Sequence, residues 1–441
     1  MEQRRKNLTQ LFIPICLETL LYMLSGMVDT LMLSSVNDQA VGAVGTANTY
    51  IGIFIIMFSV ISSGMVAVMT QNIGAGRPGV AYQARQLGLA FNAVLGIILS
   101  LILAFGAGTI LAGVGVADAL MQPARTYLQI VGGFCILNAL IPICSSYLRA
   151  FGFSKEPLYA SIIGNVINFC LNAFFLFVLH KGVAGVATAT VVSRIINLVI
   201  VVLLGAVLVK AKQHPERESN REVMGQIIRI GLPSACETAI YNVSMTLVIR
   251  FLNQMDAQGL NVTARSYTMQ ITNFSYCVGA ALAQANAIMT GWHIGAKEYD
   301  ACDRGTKKAA VIGVIVAVIL ETVFTLCSGW IMQLFSKDPQ MVSLVGKLLA
   351  IDIVLEIGRV TNLVYGQALK TSGDAVFPVV MGACFMILCS VGGTYLFGIR
   401  LGLLAVGAYI GMAGDECVRA IGMYLRWKSG KWKEKGLVKS R

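Results

Sequence analysis

The chain has 441 residues, of which 56% are hydrophobic and only 13% are charged. Soluble globular proteins average about 25% charged residues, so this composition excludes a soluble fold and indicates a polytopic membrane protein. The net charge of +12 does not indicate a nucleic-acid-binding protein, because the lysine and arginine residues lie in segments between apolar runs. We therefore expect the lipid bilayer to be a partner and expect no nucleic acid.

Twelve apolar runs are long enough to cross a bilayer as helices, which requires roughly 20 residues each. The predicted spans are 10–34, 41–71, 86–111, 124–148, 157–180, 183–209, 226–252, 261–291, 308–335, 341–369, 377–399 and 403–425. The sequence predicts an all-α polytopic membrane protein with twelve transmembrane helices in two pseudo-symmetric six-helix bundles. The predicted domains are an N-terminal bundle at 1–209, a cytoplasmic linker at 210–225, and a C-terminal bundle with a basic cytoplasmic tail at 226–441.

The distribution of basic residues predicts the orientation. Most of the 34 lysine and arginine residues fall in loops that share one side if both termini are cytoplasmic. Cytoplasmic loops of membrane proteins carry an excess of basic residues. We expect a multi-pass protein of a prokaryotic-type plasma (inner) membrane, with both termini in the cytoplasm.

The stretch at 14–29 recurs at 233–248 and relates the two halves. The matched residues, 219 positions apart, are Pro14 and Pro233, Glu18 and Glu237, Thr19 and Thr238, Tyr22 and Tyr241, and Ser25 and Ser244. Later matches include Arg149 with Lys370, Gly152 with Gly373, and Gly182 with Gly402. Since each half has an even number of spans, we expect both to run in the same direction and to be related by an axis along the membrane normal.

Span 1 contains two acids on one helical stripe. Glu18 and Asp29 are 11 residues apart and so differ by only about 20° in direction, with Tyr22 between them. An Asp at mid-helix costs about 2.5–3.5 kcal/mol in a membrane span, so such groups often carry protons or bind cations. The alternative is a structural ion pair or an acid lining a cavity. Arg194 in span 6 is a candidate partner for Glu18.

Amide side chains in span 5 form a second candidate feature. Asn168 and Asn172 are four residues apart and share one helical face. Buried amides need hydrogen-bond partners, and Asp29 across the bundle would supply one. Neutral oxygen donors beside a carboxylate would also suit Na⁺. The alternative is that the two amides hold helices together without a role in ion binding. Asn48 in span 2 is a further polar residue.

The second half contains more charged residues within its spans. Glu237 lies in span 7, one turn before Tyr241, and Arg265 lies in span 8. Asp352, Glu356 and Arg359 share a face of span 10, where Glu356 and Arg359 could simply neutralise each other. A similar cluster in span 12 contains Asp415, Glu416 and Arg419.

Several motifs occur in a fixed order along the whole chain. They are Val28-Asp29-Thr30 with Leu31-Met32, Gln71-Asn72-Ile73-Gly74-Ala75-Gly76, Leu148-Arg149-Ala150-Phe151-Gly152, Gly231-Leu232-Pro233, Ala368-Leu369-Lys370-Thr371-Ser372-Gly373-Asp374, and the tail from Trp427 to Trp432. This ordered set resembles the multidrug and toxic compound extrusion (MATE) transporters. The resemblance implies two six-helix bundles in a V-shaped arrangement, with a central cleft that opens alternately to each side. It also implies export of bulky, often cationic organic compounds against Na⁺ or H⁺.

The resemblance also bears on individual residues. Asp29 matches the family's first-helix Asp, which is implicated in ion coupling. Some members carry an Asp where Asn172 stands. The Asn in this chain therefore weakens the case for a proton relay that needs two acids in this lobe. The family's acid in span 7 falls at Tyr241, with Glu237 one turn earlier. The family's Asp in span 10 falls near Arg359, which argues against a simple cation site there.

We predict a secondary active transporter, not an enzyme, that exports cationic, amphipathic organic compounds by H⁺ or Na⁺ antiport with alternating access. The ion-coupling candidates are Asp29, Glu18, Asn168, Asn172, Glu237 and Glu356. The substrate or cleft candidates are Tyr22, Asn48, Tyr241, Arg265 and Arg359. We expect no cofactor or structural metal beyond the coupling ion, and the resemblance implies a monomer.

Three alternatives remain at this point. A flippase for lipid-linked precursors, from the same superfamily, would share the architecture. A membrane-embedded enzyme would need a polar catalytic constellation, but every histidine falls at or beyond the end of a predicted span and no nucleophile or metal motif occurs. A receptor or scaffold without transport activity would not need the repeated intramembrane polar residues.

Overall fold

The computed structural model describes residues 6–34, 38–113, 116, 118–210, 214–256, 258–333 and 335–438. This part of the chain is almost entirely helical and contains no strand. The first six long helices are α1 (Leu8–Ser34), α2 (Asp38–Gly74), α3 (Pro78–Gly113), α4 (Asp118–Gly132 and, after a bend of 43°, Ile136–Ala150), α5 (Lys155–Val178) and α6 (Gly182–Leu208). The next six are α7 (Asn220–Met255), α8 (Leu260–Gly295), α9 (Tyr299–Leu326), α10 (Pro339–Ser372), α11 (Val376–Arg400) and α12 (Leu404–Lys428).

The apolar character of the helices fits a membrane protein. Seven of them are long and apolar enough to cross a bilayer, and the bent helix α4 makes an eighth. The remaining four, α7, α8, α10 and α12, contain more polar and charged residues within their length. These four helices contribute most of the buried charge described below.

The helices differ from the predicted spans mainly at their ends. Helix α3 begins eight residues before the predicted start, and α9 ends at Leu326, after which a short helix forms at Ser328–Met332. Hydropathy marks only the apolar part of a helix, whereas backbone hydrogen bonding continues through the polar residues beyond it. The bend in α4 was also not predicted; it follows a wide π-helical turn at Leu128–Gly132 and the glycine pair there, both common causes of kinks.

The chain divides into two compact units, Met1–Gly231 and Leu232–Arg441. The boundary falls inside α7 because the segment leading into this helix is attached to the first unit. Gln83 on α3 donates to the Glu218 carbonyl at 2.7 Å and accepts from the Glu218 amide at 3.0 Å. Arg77 forms an ion pair with the Glu218 side chain at 2.5 Å. The segment predicted as a linker is therefore held against the start of α3.

The repeat in the sequence corresponds to a repeat in local geometry. Gly152 after α4 and Gly373 after α10 both adopt positive φ, at 85° and 99°, which favours glycine. The Gly152 amide donates to the Arg149 carbonyl at 2.9 Å, and the Gly373 amide donates to the Lys370 carbonyl at 3.0 Å. The same helix ending therefore follows the fourth helix of each half.

Each unit has its own apolar core. In the first unit, side chains of α2, α3, α4 and α6 pack together, including Phe58 and Leu103. In the second unit, side chains of α7, α8, α10 and α12 do so, including Leu252 and Val345. Polar side chains that are buried beside these cores form the candidate site.

Candidate functional site

Asp29 on α1 is hydrogen-bonded across the first unit to α5. The Asn172 side chain donates to Asp29 Oδ1 at 2.6 Å and to Asn168 Oδ1 at 3.2 Å. Both amides are buried, with Asn172 fully so and Asn168 5% exposed. Asn172 therefore contacts Asp29 directly, and Asn168, on the same helical face, contacts Asn172.

The contact belongs to a longer polar stripe on α5. Ser161, Asn165, Asn168 and Asn172 lie on one face, because their spacing of four, three and four residues follows the helical repeat. Three of them contact α1: Asn172 at Asp29, Asn165 at the Leu21 carbonyl at 3.4 Å, and Ser161 at the Glu18 carboxylate at 3.4 Å. The α1–α5 interface thus has a row of polar groups along its length.

Side chains from three other helices complete what we call the first-unit polar cluster: Asp29, Asn48, Tyr127, Asn172 and Arg194. The Arg194 guanidinium on α6 acts electrostatically on Asp29 and on the buried Tyr127 of α4. Asn48 lies beside the Tyr127 hydroxyl, and Tyr22, which is largely exposed, is also within electrostatic range of it. Tyr127 was not identified in the sequence, where it is a single tyrosine with no distinguishing pattern.

The predicted pairing of Glu18 with Arg194 is wrong. Glu18 instead accepts a hydrogen bond from Arg149 Nη2 at 2.5 Å, at the end of α4. Arg194 lies near Asp29, which is three helical turns further along α1. Glu18 is therefore in an ion pair, which is the structural alternative that the sequence left open.

The second unit repeats this ion pair. Glu237 on α7 lies 2.6 Å from the Lys370 ammonium at the end of α10, and these residues match Glu18 and Arg149 in the repeat. The methylene of Glu237 also packs closely against Gly382 of α11, the residue at the repeat position of Ser161. The Tyr241 side chain, one turn along α7, is half-buried and acts electrostatically on Arg359. The polar stripe of α5 has no counterpart here, because Gly382, Met386, Cys389 and Gly393 occupy the repeat positions.

Charged side chains of α10 and α12 form a buried network in the second unit. Arg359 donates to the Glu356 carboxylate and lies 3.7 Å from Glu416, so the predicted Glu356–Arg359 pair forms but is shared with α12. Arg419 binds Asp415 at 2.8 and 2.9 Å and Glu416 at 2.9 Å. Two hydrogen bonds add to this network: Ser390 donates to Asp415 at 2.9 Å and Asn362 donates to Glu416 at 3.0 Å.

Arg265 and Glu321 lie at the edges of this network. Arg265 on α8 is buried, with its guanidinium 3.9 Å from the Met245 sulfur, and it acts electrostatically on Tyr409 of α12. Glu321 on α9 is fully buried and faces Asp352 and Glu356. Sequence reasoning missed Glu321; the only available signal was one acid within the apolar run of α9.

No three of the described histidine, cysteine, aspartate and glutamate side chains are placed to hold a metal ion together. Amide, hydroxyl, guanidinium or ammonium groups instead bind the carboxyl groups of Glu18, Asp29, Glu237, Glu356, Asp415 and Glu416. Carboxyl groups in such surroundings can exchange protons or, with neutral oxygen atoms beside them, bind a monovalent cation.

Comparison with known proteins agrees with this architecture. The MatE family model matches residues 14–174 and 233–396, one match in each half of the chain. The chain is 34% identical over 431 residues to the uncharacterized transporter YisQ of Bacillus subtilis, covering 96% of this chain and 94% of YisQ. It is 23% identical to the probable multidrug resistance protein NorM of Thermotoga maritima, covering 98% and 94% of the two chains.

Solved structures share the fold. A crystal structure of MATE in the straight conformation superposes with a TM-score of 0.86 at 19% identity, covering 97% of this chain and 96% of the other. An outward-facing multidrug resistance MATE family transporter of the MOP superfamily gives 0.84 at 18% identity, covering 98% and 96%. These likenesses confirm the predicted fold of twelve transmembrane helices. With a family match in both halves and a relative 34% identical over nearly its whole length, the chain belongs to the MatE family of multidrug and toxic compound extrusion transporters.

Proposed function

We propose that this transporter exports amphipathic organic cations by antiport against H⁺ or Na⁺, and that Asp29 binds the coupling ion. Membership of the family supports transport, and similarity to probable multidrug resistance proteins such as the NorM of Thermotoga maritima supports organic substrates. The basic loops support a location in a bacterial plasma membrane with both termini in the cytoplasm. We propose that the protein acts as a monomer.

The observation that carries the proposal is the hydrogen bond between Asn172 and Asp29. Among the described atoms, the buried Asn172 Oδ1 has no hydrogen-bond partner, although its Nδ2 donates to both Asp29 and Asn168. A buried acceptor without a partner is unfavourable by about 1–3 kcal/mol. A proton on Asp29 or a bound Na⁺ would give the oxygen atoms of this site a partner, so either ion suits the arrangement.

Charge balance connects ion binding to helix packing. When Asp29 is ionised, it is stabilised by the Asn172 amide on α5 and by Arg194 on α6. When it binds a cation, the attraction to Arg194 is lost and the α1–α5–α6 contacts change. A substrate that prefers one of the two packings would then be displaced as the ion binds, which is the thermodynamic basis of antiport.

The test uses the full-length protein in liposomes loaded with ethidium as the cationic probe. We expect an imposed H⁺ or Na⁺ gradient to drive ethidium movement, and Asp29→Asn to abolish it. The gradient that works identifies the ion. Asp118→Asn is the matched control, because Asp118 is an exposed acid at the start of α4, and we expect it to transport normally.

Two results would contradict the proposal in different ways. Full transport by Asp29→Asn would move ion coupling away from the first-unit polar cluster. No gradient-driven movement of ethidium or of several other organic cations by the wild-type protein would argue against cation export and in favour of lipid-linked or anionic substrates.

A further inference from the structure

Glu321 on α9 is a buried acid without a hydrogen-bond partner. Its side chain is fully buried, and neither carboxyl oxygen makes a hydrogen bond with any described atom. The hydroxyl of Ser275 on α8, which is 1% exposed, faces this carboxyl and also makes no hydrogen bond of ordinary geometry. Buried polar groups are normally paired, and a buried carboxyl without hydrogen-bond partners is held far more easily as the neutral acid than as the carboxylate.

The neighbours of Glu321 make an ionised carboxylate unfavourable. Helix α9 packs against α8 and α10. From α10, the carboxyl groups of Asp352 and Glu356 and the guanidinium of Arg359 act on Glu321. Arg359 is already bound to Glu356 and lies near Glu416, so little of its charge is available to Glu321.

The wider network also has an excess of acids. In the described part of α9, α10 and α12, five buried carboxyl groups share two guanidinium groups, and the acids still outnumber the bases when Arg265 of α8, at the edge of the network, is included. The acids are Glu321, Asp352, Glu356, Asp415 and Glu416, and the bases are Arg359 and Arg419. An unpaired buried charge costs several kcal/mol, so this network is stable only if protons or other cations neutralise the excess.

Close helix packing keeps water away from Glu321. Val360 of α10 fits between Gly279 of α8 and Gly313 of α9. A Cβ atom at Gly279 would lie 2.8 Å from Val360 Cγ2, and one at Gly313 would lie 2.5 Å from Val360 Cγ1. The three helices therefore pack very closely two turns from Glu321. Such packing leaves little room for water that could stabilise a charged Glu321 carboxylate.

The repeat shows that the fold does not require acids here. At the matched positions, 221 residues earlier, Glu321, Asp352 and Glu356 correspond to Ser100, Val131 and Cys135. Ser100 accepts a hydrogen bond from the Ile136 amide at 3.0 Å, so that position is satisfied by an uncharged residue. The acids of the second unit are therefore an addition to the common architecture.

We propose that Glu321 is a proton-binding site of the second unit, with Ser275, Asp352 and Glu356 as its surroundings. A proton from the aqueous phase forms the O–H bond on one Glu321 oxygen, and this hydroxyl donates to Ser275 Oγ. Loss of the proton leaves the carboxylate beside Asp352 and Glu356, and Arg359 must then redistribute its contacts among these acids. The proposal that Glu321 binds a proton does not depend on the proposed function. A role of this proton in transport rests on the proposed antiport.

The experiment is infrared difference spectroscopy of the full-length protein in lipid nanodiscs, which detects the C=O stretch of protonated carboxyl groups. At neutral pH we expect a protonated carboxyl band that Glu321→Gln removes. The matched control Glu434→Gln, which alters an exposed acid near the C-terminus, should leave the band unchanged. If Glu321→Gln does not fold, Glu321→Ser replaces it, since serine is the residue at the matched position of the first half.

Two outcomes overturn the inference. One is a spectrum at neutral pH in which no protonated carboxyl band depends on Glu321. The other is loss of that band when Na⁺ is added at constant pH, which would identify the cluster as a Na⁺ site. A Glu321-dependent band in a protein that transports no organic cation would support the proton site while refuting the proposed function, so the two failures are distinguishable.

Discussion

The carboxylate of Glu18 on α1 lies 2.5 Å from the guanidinium of Arg149 at the end of α4. The side chains are only 15% and 11% exposed, so both charges are largely removed from water. The matched pair in the second unit, Glu237 and Lys370, is similarly buried, with each side chain 15% exposed. The first helix of each half is thus joined to its fourth helix by one buried ion pair, which gives these acids a structural role whether or not they also bind ions.

Removing one member of the first pair should destabilise the protein. Breaking a buried ion pair on one side costs about 3–5 kcal/mol because the remaining charge is left without a partner. We expect Glu18→Gln to lower thermal stability in detergent, and Glu18→Gln with Arg149→Gln to recover part of the loss. The measurement is the fraction that remains monodisperse by size-exclusion chromatography after heating.

Asp118→Asn is the control for this stability series, because its carboxyl is exposed. If the loss of stability in the double variant equals the sum of the losses in Glu18→Gln and Arg149→Gln alone, the two charges do not interact.

Substitution of Asn172 should favour the ion-bound form of Asp29 without removing the acid, because the Asn172 amide stabilises the ionised, ion-free carboxylate. Asn172→Leu has nearly the same volume but cannot donate to Asp29, and a hydrogen bond to a charged group contributes about 1.5–3 kcal/mol. We expect the ion concentration that half-saturates transport to change by about 10- to 100-fold. Asn168→Leu should have a smaller effect, since Asn168 contacts Asn172 and not Asp29. Equal kinetics for wild type and Asn172→Leu would exclude this contact from ion coupling.

Helical periodicity was sufficient to predict part of the site. The sequence places Glu18 and Asp29 on one stripe of α1, and Asn168 and Asn172 on one face of α5, because these spacings follow the helical repeat. The contact between Asp29 and Asn172 then needs only that the two helices are neighbours. The apolar runs likewise predict all twelve long helices, although not the polar turns at their ends.

Periodicity could not identify partners on distant helices. Arg149 is 131 residues from Glu18, and nothing in the sequence indicates that α1 meets the end of α4 and not Arg194 of α6. Glu321 shows no pattern on its own helix, because every charged group acting on it belongs to α10. The bend in α4 depends on local backbone hydrogen bonding, to which hydropathy is insensitive.

The start of α8 should lose stability in acid. Burial acts to raise the pKa of Asp256, but hydrogen bonds from Asn261 and the Leu260 amide outweigh it and hold the pKa below its usual value. The Leu260 and Asn261 amides donate to the carboxylate at 2.8 and 3.1 Å. A lowered folded-state pKa means that the stabilisation is present above the unfolded-state pKa and is lost as pH falls through the folded-state pKa.

Hydrogen exchange of the Leu260 and Asn261 amides would measure this effect, with intrinsic exchange rates taken into account. We expect their protection in the wild type to decrease as the pH falls through this range, and protection in Asp256→Asn to be weaker and independent of Asp256 titration. A wild-type profile that parallels that of the variant would show that the carboxylate does not stabilise the start of α8.

Gly64 and Gly231, where α2 and α7 cross within the first unit, should not tolerate replacement by any residue with a side chain. A Cβ atom at Gly231 would overlap the Val60 carbonyl, and one at Gly64 would overlap the Ile227 carbonyl. Both obstacles are backbone atoms, so no rotamer change can relieve them, and overpacking of this kind costs about 1–3 kcal/mol or more. We expect Gly231→Ala to lower the temperature at which monodisperse protein is lost.

Gly225 provides the matched control for this crossing, because it lies in the same helix but a Cβ atom there would meet nothing within 4 Å. Alanine is favoured over glycine in a helix by about 0.8–1 kcal/mol, so Gly225→Ala should be neutral or stabilising. Alanine is thus predicted to destabilise the protein at Gly231, whereas at Gly225, six residues earlier, it is predicted to leave stability unchanged or to increase it. If both variants are stabilised alike, helix propensity alone determines the outcome and α7 does not approach α2 as closely as Gly64 and Gly231 require.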